Sequence, residues 1–117
     1  MYYKESYFNF EKKFRGSRED ILLRLEAYDK LLITIKKYSH NPKVLDIGCG
    51  RGEWLFKCKE MGFDCLGIDL DDEMIQECRN YKIETIQGSV LDVLNNISSN
   101  SYDLITSFHL IEHLNNE

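Results

Sequence analysis

The sequence predicts an α/β fold: about four parallel strands with helices on both faces, preceded by a helical arm. Three observations carry this. Short apolar segments alternate with helical patterns, and strands joined through helices run parallel. A glycine-rich loop stands where the first strand hands over to the first helix. The charge also divides along the chain. Residues 1–40 hold 9 Lys and Arg against 6 Asp and Glu, and residues 41–117 hold 6 against 14, within a net charge of -5.

With 117 residues there is room for one hydrophobic core and no second. Hydrophobic residues at 43%, charged residues at 30% and a single Pro exclude collagen-like and Pro-rich disordered classes. Apolar runs of four residues or fewer predict no membrane span, and the polar residues 1–6 predict no secretory leader. Cys49, Cys58, Cys65 and Cys78 form no C-x-x-C pair. They read as reduced thiols of a cytoplasmic protein, not as disulfides or a zinc site. The acidic balance argues against nucleic acid as a partner.

Residues 1–40 form the arm. Tyr7, Phe8, Phe10 and Phe14 predict a short aromatic helix ending at Gly16. Ser17 can then cap a second helix, with Asp20 reaching back to it. Ile21, Leu25, Tyr28, Leu32 and Ile35 continue at helical spacing to Tyr38 as one helix. His40-Asn41-Pro42 separates the arm from the body, residues 41–117. There Val44-Leu45-Asp46-Ile47 is the first strand, and a helix over Trp54, Leu55, Cys58 and Met61 is stopped by Gly62. The second strand is Asp64-Cys65-Leu66-Gly67-Ile68. Asp71 or Asp72 opens a helix carrying Met74, Ile75 and Cys78. Ile83-Glu84-Thr85-Ile86 is the third strand, residues 91–94 a helical turn, residues 95–101 a polar loop and residues 102–107 the fourth strand.

The loop Gly48-Cys49-Gly50-Arg51-Gly52 lets the backbone turn tightly and approach a ligand. Asp69, at the end of the second strand, can accept both hydroxyls of an adenosine ribose. Together they read as a site for an adenosine-containing cofactor. The competing reading is a glycine turn that binds nothing. A dinucleotide site wants G-x-G-x-x-G, and here Glu53 takes the place of the third glycine. A carboxylate beside a pyrophosphate is unfavourable, and Asp46 adds a second. S-adenosylmethionine has no phosphate, and its ammonium and sulfonium cations suit acidic neighbours.

Leu45-Asp46-Ile47-Gly48-Cys49-Gly50-Arg51-Gly52 resembles the first motif of class I S-adenosylmethionine-dependent methyltransferases. Gly67-Ile68-Asp69-Leu70 resembles their second, and Gln87-Gly88-Ser89-Val90 their third. Tyr102-Asp103-Leu104-Ile105 with residues 108–114 resembles the fourth. The resemblance implies a Rossmann-like methyltransferase fold truncated to about four parallel strands in the order 3-2-1-4. It implies that Gly48, Cys49, Gly50 and Gly52 line the methionine end of the cofactor. It further implies that Asp46 orients the amino group, Asp69 holds the ribose, Leu70 packs on adenine and Phe108 lies nearby. An Asp usually follows the glycine of the third motif. Here that place is Ser89, so Ser89 and the Val90 amide are the adenine contacts, with Asp92 in reach. The arm, from Phe10 to Tyr28, is similar to the N-terminal helices of bacterial surface-polysaccharide methyltransferases, some of them fused to kinases. That implies a sugar or phosphosugar acceptor, with Arg15 and Arg18 as anion contacts. The competing reading is surface charge.

His109-Leu110-Ile111-Glu112-His113 spells the H-x-x-E-H pattern of a zinc helix. His109 follows a strand and no third ligand is placed, so no metal is expected. In the methyltransferase reading Glu112 or His113 serves as general base. Four strands of an expected seven leave the fourth strand an open edge for a missing half or a second copy. The rival functions are a non-catalytic S-adenosylmethionine-binding module and a nucleotide-dependent oxidoreductase.

Overall fold

A computed structural model of the chain describes residues 17–96 and 101–107. Four strands, β1 (Lys43–Ile47), β2 (Asp64–Asp69), β3 (Glu84–Gln87) and β4 (Leu104–Thr106), form one parallel sheet in the order β3-β2-β1-β4. β1 lies centrally, with Val44 opposite Cys65 on one side and Leu104 on the other. Central position explains its sequence: after exposed Lys43 every residue of β1 is buried, because both faces are covered. Val44 faces a core of Leu55, Cys58, Phe63, Cys78 and Ile83, and Leu45 and Ile47 face a second core with Ile68 and Val93. Fully burying a side chain such as Leu55 stabilises the fold by about 2 kcal/mol.

The helices of the body are α3 (Glu53–Glu60), α4 (Asp72–Asn80) and α5 (Val90–Leu94). Side chains cap two of them. Asp71 Oδ1 accepts from the amides of Glu73 (2.9 Å) and Met74 (3.2 Å), and Ser89 Oγ from that of Asp92 (3.2 Å). Among the described residues α5 and Tyr102 cover the second core, and Ile105 at the outer strand is 56% exposed. No described helix is long and apolar enough to cross a membrane.

The arm departs from its predicted single helix. It consists of α1 (Arg18–Leu25), a 3-10 turn over Glu26–Tyr28, and α2 (Asp29–Tyr38). The turn sets the Tyr28 ring edge-on to Trp54 of α3, with centroids 5.5 Å apart. It also brings Asp29 into an ion pair with Lys57. Regular helical spacing continues through the break because tertiary contacts impose it. The N-terminal cap is as predicted: Ser17 Oγ accepts from the Asp20 amide at 3.1 Å. The predicted aromatic helix before Gly16 lies outside the described residues.

α3 and α4 end in the same way with different residues. Gly62 has φ 93° and Lys82 has φ 60°. Glycine enters this left-handed region freely and lysine does so at a cost. Lys82→Gly is therefore expected to raise stability by about 0.5–1 kcal/mol, read as a shift in urea midpoint with unchanged slope. The Lys82 main-chain carbonyl, which accepts from Lys59 Nζ at 2.6 Å, survives the substitution.

Candidate functional site

The sheet brings the glycine loop and the end of β2 together at the carboxyl end of the strands. Gly48, Gly50 and Gly52 all have positive φ (70°, 58° and 83°). The amides of Gly48 and Cys49 donate to the Ile68 carbonyl at 2.7 and 2.9 Å, so the loop leaves β1 by turning over β2. Its next amide, Gly50 N, donates to Asp69 Oδ2 at 2.9 Å. Asp69 Oδ1 accepts from Asp71 N, also at 2.9 Å. One carboxylate thus joins the loop to the start of α4, with both oxygens oriented. The Gly88 amide donates to the Asp69 carbonyl at 3.0 Å, which places the third motif alongside. Leu70, next in the chain, is 66% exposed and offers an apolar surface beside the carboxylate.

Asp46 is fully buried at the end of β1 and accepts from Thr106 Oγ1 at 2.8 Å, directly across the β1–β4 register. Ser89 caps α5, so its oxygen already serves the Asp92 amide. The Cys49 side chain is buried. Its sulfur fills the space above Gly67, where a Cβ would come within 2.8 Å of it. Gly52 does the same for Cys78: a Cβ there would stand 2.8 Å from Cys78 Sγ and 3.1 Å from Ile83 Cδ1. Gly52, read as ligand-facing, therefore also has a packing role, as does Gly67 of the second motif.

The four thiols are free and buried. Cys49 and Cys78 share a hydrogen bond with sulfurs 3.7 Å apart, and Cys78 donates to the Gly50 carbonyl at 3.3 Å. The hydrogen bond with Cys78, and then burial, push the Cys49 thiol far above the ordinary range. Burial raises Cys58 as well, and raises Cys65 to about 12. Cys49, Cys58 and Cys65 are therefore protonated and inert.

Glu53 differs from its electrostatic reading. It is buried and paired with Arg51, whose Nε lies 3.0 Å from Glu53 Oε2. Arg51 is itself buried, so the carboxylate is compensated inside the protein and does not face a ligand as a bare charge. The repulsion argument against a pyrophosphate loses its force at Glu53. Sequence reading missed this pair; the alternation Arg51-Gly52-Glu53 at the loop exit was its only local signal.

Arg18 is half-buried. Its guanidinium carbon lies 3.5 Å from the Tyr81 ring centroid and 5.2 Å from that of Phe56, and its Nη1 donates to the Arg51 carbonyl at 3.1 Å. Arg15, Phe108, Glu112 and His113 lie outside the described residues, as does His109. Among the described residues no cluster of three or more His, Cys, Asp or Glu is placed to hold a metal ion.

A family model described as a methyltransferase domain matches residues 11–116. The ubiquinone biosynthesis O-methyltransferase of Aliivibrio fischeri is 29% identical over 79 residues, covering 62% of this chain and 33% of that protein. A SAM-dependent methyltransferase from Archaeoglobus fulgidus superposes with a TM-score of 0.70 and 38% identity, over 85% of this chain and 42% of that one. Monomeric WbdD superposes with a TM-score of 0.65 and 26% identity, over 79% of this chain and 25% of that one. The chain spans about a third of the length of the curated relatives it matches.

Proposed function

The chain belongs to the methyltransferase domain family as a class I S-adenosylmethionine-dependent member, and on that premise we propose that it forms the cofactor site of an enzyme that methylates a saccharide. The observation that carries the cofactor reading is the Asp69 carboxylate, oriented by the Gly50 and Asp71 amides. A carboxylate accepts about four hydrogen bonds, so both oxygens keep capacity for the ribose hydroxyls. Leu70 supplies a surface for adenine. The amide of Val90, beside the Ser89 cap, supplies an adenine contact. Gly48 and Gly50 allow the main chain to approach the methionine end, and Asp46 orients its ammonium group, directly or through water.

S-adenosylmethionine supplies an electrophilic methyl group on a sulfonium. The protein's task is alignment of acceptor and methyl, with Glu112 or His113 taking a proton where the acceptor loses one. The sugar acceptor draws support from the arm. The likeness to WbdD covers more of the chain than residues 41–117 make up, so it takes in part of the arm. The ubiquinone-biosynthesis relatives support a second acceptor class, and their match is confined to 62% of the chain. The exposed outer edge of β4 is where a further part of the fold, or a second copy, adds strands. Reduced thiols fit a cytoplasmic setting.

Calorimetric titration with S-adenosylmethionine and S-adenosylhomocysteine tests the cofactor reading, with NADH as competitor. Binding of both sulfur compounds is expected. Preference for NADH would favour an oxidoreductase. Binding without methyl transfer to saccharide or ubiquinone-precursor acceptors would favour a binding module.

A further inference from the structure

The glycine loop is held from outside by a residue of the arm. Gly52 N donates to the Cys49 carbonyl at 3.1 Å, closing a four-residue turn. The same peptide unit carries the Arg51 carbonyl at its other end, and that carbonyl accepts from Arg18 Nη1. The peptide between Arg51 and Gly52 is thereby fixed at both ends. Arg18 is in turn fixed by two rings, Phe56 on α3 and Tyr81 after α4, which meet edge to face at 5.4 Å. Its planar guanidinium stacks and donates at once, which a lysine ammonium cannot do. Three left-handed glycines give the loop little stiffness of its own, so an external restraint has a large effect on it.

We propose that Arg18 is a positioning residue for the cofactor loop, locking the Arg51–Gly52 peptide so that the Gly50 amide meets Asp69 and presents it to the ribose. This rests on the reading of the loop and Asp69 as the S-adenosylmethionine site. It gives the arm a part in cofactor binding, independent of any acceptor.

The test compares the unsubstituted chain with Arg18→Ala, Arg18→Lys and Tyr81→Leu. S-adenosylhomocysteine affinity is measured by calorimetry well below each melting temperature, and amide exchange of Gly50 and Gly52 is followed by NMR without ligand. Arg18→Ala is expected to weaken binding about tenfold and to speed exchange of both loop amides while α3 amides keep their protection. Arg18→Lys should fail to rescue. Tyr81→Leu should weaken binding in the same direction, and it keeps the proposal testable if Arg18→Ala does not fold. A folded Arg18→Ala chain with unchanged affinity, or a Tyr81→Leu chain with both affinity and loop exchange unchanged, would overturn the proposal. Failure of the unsubstituted chain to bind would instead overturn the cofactor reading beneath it.

Discussion

Replacing Asp69 by alanine is expected to weaken S-adenosylhomocysteine binding by about 2–4 kcal/mol, because two hydrogen bonds to a charged acceptor are lost together. The effect exceeds that of deleting a surface contact for a structural reason. The carboxylate is the joint between the loop and α4, accepting from Gly50 N and Asp71 N at 2.9 Å each. Alanine leaves both part-buried amides without this partner, so about 1–3 kcal/mol of folding stability is lost as well. Asp69→Asn separates the two losses. Its amide oxygen can keep one main-chain partner, while its NH2 group cannot accept from a ribose hydroxyl. The asparagine chain should therefore melt closer to the parent than the alanine chain, yet bind nearly as poorly. Thermal melts paired with calorimetric titration check this. Unchanged affinity in a folded Asp69→Ala chain would remove the basis of the ribose assignment.

The sheet was legible because its signals are local. β1, β2 and β4 are centred on short apolar segments, and Gly62 and Asp71 mark a helix end and a helix start without reference to the rest of the chain. The order 3-2-1-4 came from the resemblance, and the register bears it out. What escaped the sequence depends on distant partners. The break in the arm follows from Trp54, against which Tyr28 packs. Lys82 occupies a left-handed position that composition assigns to glycine. Arg18 reads as a free cation until Phe56 and Tyr81 are brought beside it by the β-α-β crossover. Glu53 reads as a charge at the ligand until Arg51 folds onto it. In the site, then, residue types and positions at the strand ends were readable. The direction in which charged side chains turn was not, since burial of the pair is decided by the packed fold.

The glycines show the same division, and Gly52 gives the larger test of it. Gly52→Ala is expected to cost about 2–5 kcal/mol of folding stability. Two independent terms contribute. At φ 83° an alanine pays roughly 1–2 kcal/mol for its left-handed backbone. Its Cβ also enters a filled core, 2.8 Å from Cys78 Sγ and 3.1 Å from Ile83 Cδ1, and overpacking of this kind costs about 1–3 kcal/mol. The terms can be separated because only one involves sulfur. Cys78→Ala alone should cost about 1–2 kcal/mol, for a small buried apolar group and its thiol hydrogen bonds with Gly50 and Cys49. In the double variant the clash with sulfur is removed, since Cys78 Cβ stands at an ordinary 3.6 Å, while the 3.1 Å approach to Ile83 Cδ1 and the backbone cost remain. The double variant should thus be more stable than the sum of the singles predicts, with a coupling of about 1–2 kcal/mol. Urea unfolding of the four chains measures it. Strict additivity would mean that the Cys78 sulfur does not limit space at Gly52. A neutral Gly52→Ala would mean that the loop does not hold its left-handed turn against α4, and the glycine would then owe its place to the ligand alone.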